Sequence, residues 1–317
     1  MNTNYQEILS TLAKFDKTVI YYDDFKAIVD RVNECVLKTQ YYSRSENCVI
    51  PATPGMGKTF IAELLGTQMK SEEITENDCD ITTVPSFYIE VPSNATPLKL
   101  SETMLAALGE PLPIKGNIVE QTHRLIKLFE RCKIRLVLMD EFQNMMTKTL
   151  KTYYLSKGVI EWVKQLSNAS NVTYCLLGSD EFLPYLMQND HTKKRFMDVL
   201  PLKLLTPPSR DDDGTLAQFY YSYCEIAKTH FPQLNLPDAG DDHFVRQLYL
   251  ATNGIPKYIS LFVKLAIEKC LVRGETSVTQ KFFADVWDRY RNAEVSQTFR
   301  NPFLLDPKAL AMTLRGK

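Results

Sequence analysis

A short apolar run, Cys48-Val49-Ile50, is followed after Pro51 by Ala52-Thr53-Pro54-Gly55-Met56-Gly57-Lys58-Thr59, and then by the helix-like run Phe60-Ile61-Ala62-Glu63-Leu64-Leu65. Strand, glycine-rich turn, Lys-Thr and helix in that order build a loop whose N–H groups converge on phosphate oxygens. Gly55 and Gly57 supply the backbone freedom that aims those groups inward. Lys58 would reach the outer phosphates. Thr59 would place a hydroxyl on Mg2+, and the helix start would add the positive end of its dipole. Thr53, Pro54, Gly55, Met56, Gly57, Lys58, Thr59 and Phe60 are therefore the expected nucleotide-binding set. The motif commonly opens on glycine; here that place is Ala52, which costs little if its φ is negative. A Gly-Lys-Thr triplet alone also suits an ordinary turn before a helix, so the flanking strand and helix carry the weight.

A second stretch fits the first. Ile134-Arg135-Leu136-Val137-Leu138-Met139-Asp140-Glu141 is a buried-strand pattern ending in two carboxylates, about 80 residues beyond the glycine loop. Asp140 would hold Mg2+ opposite Thr59. Glu141 would orient or deprotonate the attacking water. A strand running into an acidic helix cap is the plainer alternative for this stretch alone. The two motifs in this order and spacing point to a P-loop ATPase with another strand inserted between the two motif strands.

Along the rest of the chain, residues 1–20 read as an arm with a helix near Tyr5–Lys14. Phe25, Ile28, Val29, Val32 and Val36 mark an amphipathic helix with Asp23-Asp24 in its first turn. Tyr21, just before it, is either a core aromatic or a contact for adenine. Residues 71–84 read as a polar surface loop, Phe87–Val91 as a strand, and 147–157 as a basic, aromatic loop over the site. Val172–Leu177 and Asp198–Leu204 read as further strands, so the segment 21–208 is an α/β core with a parallel sheet. Beyond it, 209–291 carries four helical patterns and no strand. The segment 292–317 is proline-containing and weakly periodic, and is expected to be extended. Its apolar cluster, Phe299, Pro302, Phe303, Leu304 and Leu305, either anchors a partner or folds back on the helices.

The 317 residues carry a net charge of −1, so any nucleic-acid surface must be a local stripe. The seven cysteines are scattered without a C-x-x-C pair, which fits a reducing cytoplasmic setting and no zinc site. No signal peptide opens the sequence and no apolar run reaches membrane-spanning length.

An α/β ATPase core followed by a small C-terminal helical lid is the AAA+ layout. In that layout a hydroxyl just past the fourth strand is the first sensor, here Ser179, and a basic residue in the lid is the second, here Lys257; a turn residue and a solvated lysine are the plainer alternatives. The chain further resembles the TniB/TnsC family of AAA+ ATPases that regulate DNA transposition. The resemblance rests on Val91-Pro92-Ser93-Asn94-Ala95-Thr96-Pro97, Ala107-Leu108-Gly109, Leu138-Met139-Asp140-Glu141-Phe142-Gln143-Asn144, Leu177-Gly178-Ser179, Arg195-Phe196 and Asn301-Pro302-Phe303. It implies ATP and Mg2+ as cofactors and assembly of the protein with itself as a ring or filament. It also implies sequence-independent binding of double-stranded DNA, and recruitment of a transposase with a TniQ/TnsD-type targeting protein. Glu141 and Ser179 would serve catalysis, with Arg195 as a finger onto a neighbour's nucleotide; Arg195 is chosen over Lys193 and Lys194 because it precedes Phe196. Lys99 and Lys115 would touch DNA. A replication initiator or loader of the AAA+ class, usually with a C-terminal winged helix, and a non-hydrolysing nucleotide-gated scaffold are the alternative readings.

Overall fold

Three uninterrupted apolar runs become the centre of a parallel sheet, because strands covered on both faces have no solvent side to alternate with. The computed structural model describes residues 3–315 except 19, 21, 43, 77–78, 149–152, 156, 189–192, 210–211 and 213; Tyr21 lies outside the described residues. In chain order the elements are α1 (Thr3–Asp16), α2 (Asp23–Tyr42), β1 (Cys48–Pro51), α3 (Lys58–Gln68), β2 (Glu73–Glu76), β3 (Cys79–Thr82), β4 (Ser86–Glu90), α4 (Pro97–Ala107), α5 (Ile118–Arg131), β5 (Leu136–Asp140), β6 (Met146–Lys148), β7 (Tyr153–Leu155), α6 (Lys157–Ser170), β8 (Thr173–Gly178), α7 (Leu183–Met187) and β9 (Asp198–Val199). After them come α8 (Thr215–His230), α9 (Asp242–Thr252), α10 (Pro256–Val272), α11 (Gln280–Tyr290) and α12 (Pro307–Arg315).

The chain divides into two compact units, Asp23–Leu202 and a second made of Met1–Tyr22 with Lys203–Lys317. The first holds a five-stranded sheet in the order β4-β5-β8-β1-β9, every pair parallel. β8 thus lies between the glycine-loop strand and the carboxylate strand, although it follows both in the chain. Phe87, Leu100, Met104, Leu125, Phe129, Trp162 and Leu166 belong to one buried cluster on this sheet.

Three local expectations change. Residues 71–84 and 147–157 are not plain loops: β2 pairs with β3 and β6 with β7, both antiparallel. β9 ends at Val199, well short of Leu204. Leu200 N and Leu202 N still donate to the Val49 and Pro51 carbonyls, so hydrogen bonding to β1 runs on to Leu202 past the end of the regular strand.

In the second unit the segments 1–20 and 292–317 pack with the helices of 209–291. Leu12 and Phe15 of α1 are buried in one core with Tyr223, Phe231 and Ile267. Two polar contacts fix the same helix on α10: Tyr5 donates to Glu268 Oε1 at 2.9 Å, and Lys264 Nζ lies 2.7 Å from Asp16 Oδ1. The tail folds back as well. Phe303 is buried, with its ring 5.5 Å from Phe283 and 6.1 Å from both Phe244 and Phe262. Asn301 holds the turn, accepting from Phe303 N and donating to Ala284 O and Asp288 Oδ1. Asn301-Pro302-Phe303 is therefore part of the helical core, not a free anchor. Phe299 and Leu304 stay exposed. Among the described residues no helix is long and apolar enough to cross a membrane.

Candidate functional site

The glycine loop leaves β1 at its C-terminal end and closes on the first turn of α3. Gly55 (φ 89°) and Gly57 (φ 99°) are its left-handed residues, while Ala52 is not left-handed. Alanine can replace glycine at position 52 because that position asks for no positive φ. Ala52 is buried, and its N–H donates to Gly178 O at 3.0 Å, tying the loop to the end of β8. Gly57 caps α3 without a side chain, so no protein side chain competes for the N–H groups at the helix start. Met56 is buried beneath the loop, and Thr59 and Phe60 are exposed. Thr53 Oγ1 donates to Asp180 Oδ2 at 3.1 Å, a second tie between the loop and the turn after β8.

Lys58 curls back, donating from Nζ to Ala52 O at 2.8 Å. Burial lowers its pKa, opposed by the negative charges of Asp140, Glu141 and Asp180. A partly desolvated ammonium facing those carboxylates suits a site that takes up polyanionic phosphate.

Asp140 ends β5 and is 3% exposed. Its Oδ1 accepts from Glu141 N at 2.8 Å, and its Oδ2 accepts from the Tyr88 hydroxyl at 3.0 Å. Burial and the charge of Asp140 raise the Tyr88 pKa, keeping the phenol a donor. Tyr88 is absent from the expected site. It enters because Glu90 pairs with Asp140, which sets Tyr88 diagonally beside that carboxylate on the neighbouring strand. No spacing along the chain carries that register.

Glu141 takes a left-handed backbone, φ 53°. Its carboxylate accepts from Gln143 Nε2, and Gln143 Oε1 accepts from Ser179 N at 3.0 Å. Phe142–Met145 is a tight 3-10 turn, which brings Gln143 back over the strand ends. Asn144 Nδ2 donates to Val91 O at 2.8 Å and fixes the same turn to the end of β4. Ser179 Oγ is buried without a hydrogen-bond partner among the described residues.

Loop, carboxylates and Ser179 therefore meet at one end of the sheet, with β1 and β5 about 10 Å apart across β8. One buried carboxylate, a helix-start hydroxyl and uncapped N–H groups fit a magnesium nucleotide, whose ion keeps waters and phosphate oxygens as most of its ligands. A cage of protein ligands is not needed, and none of His, Cys, Asp and Glu forms one among the described residues.

Two expected lysines lie on another part of the α/β unit. Lys99 lies in the first turn of α4, its Nζ donating to Ser93 O at 3.0 Å. Ser101 donates to Gln121, and Gln121 donates to Gly116 O, so the loop with Lys115 is drawn to the N-terminal half of α4. Both lysines are exposed. Lys257 is exposed at the start of α10, in the helical unit.

Arg195 is not at the glycine loop. It precedes β9, whose Asp198 pairs with Cys48 at the opposite end of β1. The length of β1 alone puts roughly 10 Å between them. Asn47, buried, accepts from Tyr174 N and donates to Ser167 Oγ and Arg195 O, fixing that backbone. Phe196 is buried beside it. Arg195 lines a cleft of about 430 Å3 with Arg31, Arg44, Lys164 and Lys194. Asp198 binds Arg31 through both oxygens, and Arg44 and Lys164 pair with Glu46 and Glu161. Lys194 and Arg195 form no ion pair among the described residues.

Over residues 13–203, which span the whole site, the sequence matches the family described as Bacterial TniB protein. The chain belongs to the TniB family. No curated protein matches it. The backbone is similar to that of the Aeropyrum pernix ORC2 protein in ADPNP-ADP complexes, with a TM-score of 0.61 and 14% identity over 87% of this chain and 71% of that one. It is also similar to the A. pernix ORC1 protein in complex with DNA, with a TM-score of 0.55 and 16% identity over 83% of this chain and 64% of that one. The fold of this TniB protein is that of the AAA+ P-loop ATPases.

Proposed function

We propose that this TniB protein is an ATP-hydrolysing regulator of DNA transposition that assembles on target DNA and recruits the transposase. The observation that supports it best is the converging end of the sheet, with the loop, Lys58, Asp140, Glu141 and Ser179 in one place, inside a TniB sequence. The loop N–H groups and Lys58 bind the phosphates. Thr59 and Asp140 would hold Mg2+, which offsets phosphate charge when bound. Glu141 takes a proton from the attacking water.

Arg195, remote from its own loop and without an ion pair among the described residues, is the proposed finger onto the nucleotide of the next copy. Contacts of that head-to-tail kind generate rings or helical filaments. Lys257 is the proposed second sensor. Lys99 and Lys115 are proposed to meet duplex phosphates, and a TniQ/TnsD-type protein is the proposed targeting partner.

The test is duplex binding with and without an ATP analogue over a salt series. The expected result is ATP-dependent binding that ignores base sequence and weakens steeply with salt, since phosphate contacts release counterions. Lys115→Ala and Lys99→Ala should lower affinity evenly across sequences. Nucleotide-independent binding, or strong preference for one sequence at fixed salt, would refute this function.

A further inference from the structure

Gln143 joins the carboxylate of Glu141 to Ser179, the residue just past the strand that separates the two motif strands. Its amide orientation is chemically determined. The NH2 end faces a carboxylate, which only accepts, and the oxygen end faces the Ser179 N–H, which only donates. Rotating the amide by half a turn would lose both bonds. The side chain crosses directly above Gly178, where an added Cβ would sit 2.6 Å from Gln143 Oε1. That space exists because residue 178 is glycine. The turn carrying Gln143 is itself pinned, by Asn144 to Val91 O and by Asn144 N to Glu141 O.

We propose that Gln143 is a positioning residue that clamps the general base Glu141 to the end of β8, so that the base and Ser179 move as one. This rests on the hydrolytic function proposed above. Glu141 follows the end of β5 and is itself left-handed, φ 53°, so it stands outside the strand ladder. Gln143 supplies the anchor that the strand no longer does. Ser179 is the other half of the device. Its N–H holds the amide, while its Oγ is buried and unpartnered among the described residues. A phosphate oxygen that engages that hydroxyl therefore acts on the same residue whose backbone holds Gln143. Binding would thereby be felt at Glu141 through two hydrogen bonds, without any movement of β5.

The test uses full-length protein and two substitutions that separate the ends of the amide. Gln143→Met keeps length and bulk and removes both hydrogen bonds. Gln143→Glu keeps an oxygen for the Ser179 N–H and replaces the donor to Glu141 by a second carboxylate that repels it. Both should lower kcat by about 10- to 100-fold, the scale of one lost charged hydrogen bond at a positioned base, and leave KM for ATP within about twofold. In a Glu141→Gln background neither should cost anything further, because the residue acts through Glu141. Amide hydrogen exchange at Ser179 in nucleotide-free protein should speed up in Gln143→Met and stay slow in Gln143→Glu.

Wild-type kcat in both variants, or a further tenfold loss in the Glu141→Gln background, would overturn the inference while leaving the ATPase intact. Thermal unfolding of each variant identifies a merely misfolded protein; if Gln143→Met misfolds, Gln143→Glu alone decides. A wild-type protein that binds ATP without ever hydrolysing it refutes the hydrolytic function and this inference together.

Discussion

Replacing Phe303 by alanine tests whether the last segment belongs to the fold or to a partner. Phe303 is 4% exposed and sits among the rings of Phe244, Phe262 and Phe283, at centroid distances of 5.5 to 6.1 Å. Truncating such a ring removes its burial and leaves a cavity that close-packed helices fill only in part. The expected cost is about 3–5 kcal/mol. With a urea slope of roughly 1–3 kcal/mol per molar, the midpoint should fall by more than about 1 M. The two tryptophans make the assay specific, since Trp162 lies in the α/β unit and Trp287 in the helical core with Phe303. Fluorescence of a Trp162→Phe background reports Trp287 alone and reads the helical unit. Phe299→Ala is the control, because Phe299 is 91% exposed and its truncation should change stability by no more than about 0.5 kcal/mol. A Phe303→Ala protein with an unshifted Trp287 transition would refute the packing argument.

Glu141→Gln should keep ATP binding and slow turnover by about 100-fold or more, measured as phosphate release; normal turnover would remove Glu141 from the chemistry. Arg195→Ala should bind ATP as a monomer and fail to assemble or hydrolyse, and mixing it with Lys58→Ala should restore activity at interfaces that pair an intact finger with an intact loop. Normal assembly of Arg195→Ala alone would move the finger to Lys193 or Lys194. Gly254→Ala should cost roughly 2–5 kcal/mol by the same urea titration, because Gly254 has φ +68° and a Cβ there would sit 2.0 Å from Leu205 O. Gly274→Ala, also left-handed at φ +72° but with no atom within 4 Å, should cost only about 1–2 kcal/mol. Equal losses at the two glycines would discount the contact with Leu205.

The phosphate loop and the Asp140-Glu141 strand end are legible in the sequence because their chemistry is local. Neighbouring N–H groups must aim at one anion, and that demand falls on consecutive residues from Ala52 to Thr59. The same holds for the buried strands, whose continuous apolar runs declare burial on both faces, and for the helices of the second unit, whose apolar spacing matches one turn. Tyr88 and Gln143 reach the site by another route. Tyr88 depends on the β4–β5 register, and Gln143 on a 3-10 turn meeting Ser179, 36 residues away along the chain. Periodicity says which face a residue occupies and is silent on which strand lies beside it. Asn301-Pro302-Phe303 shows the same limit from the other side: one aromatic in a weakly patterned segment is equally suited to a partner's groove or to its own core. Only the packing of α9, α10 and α11 around a ring-sized space decided that Phe303 fills it, since burial is a property of what surrounds a side chain and not of the side chain itself.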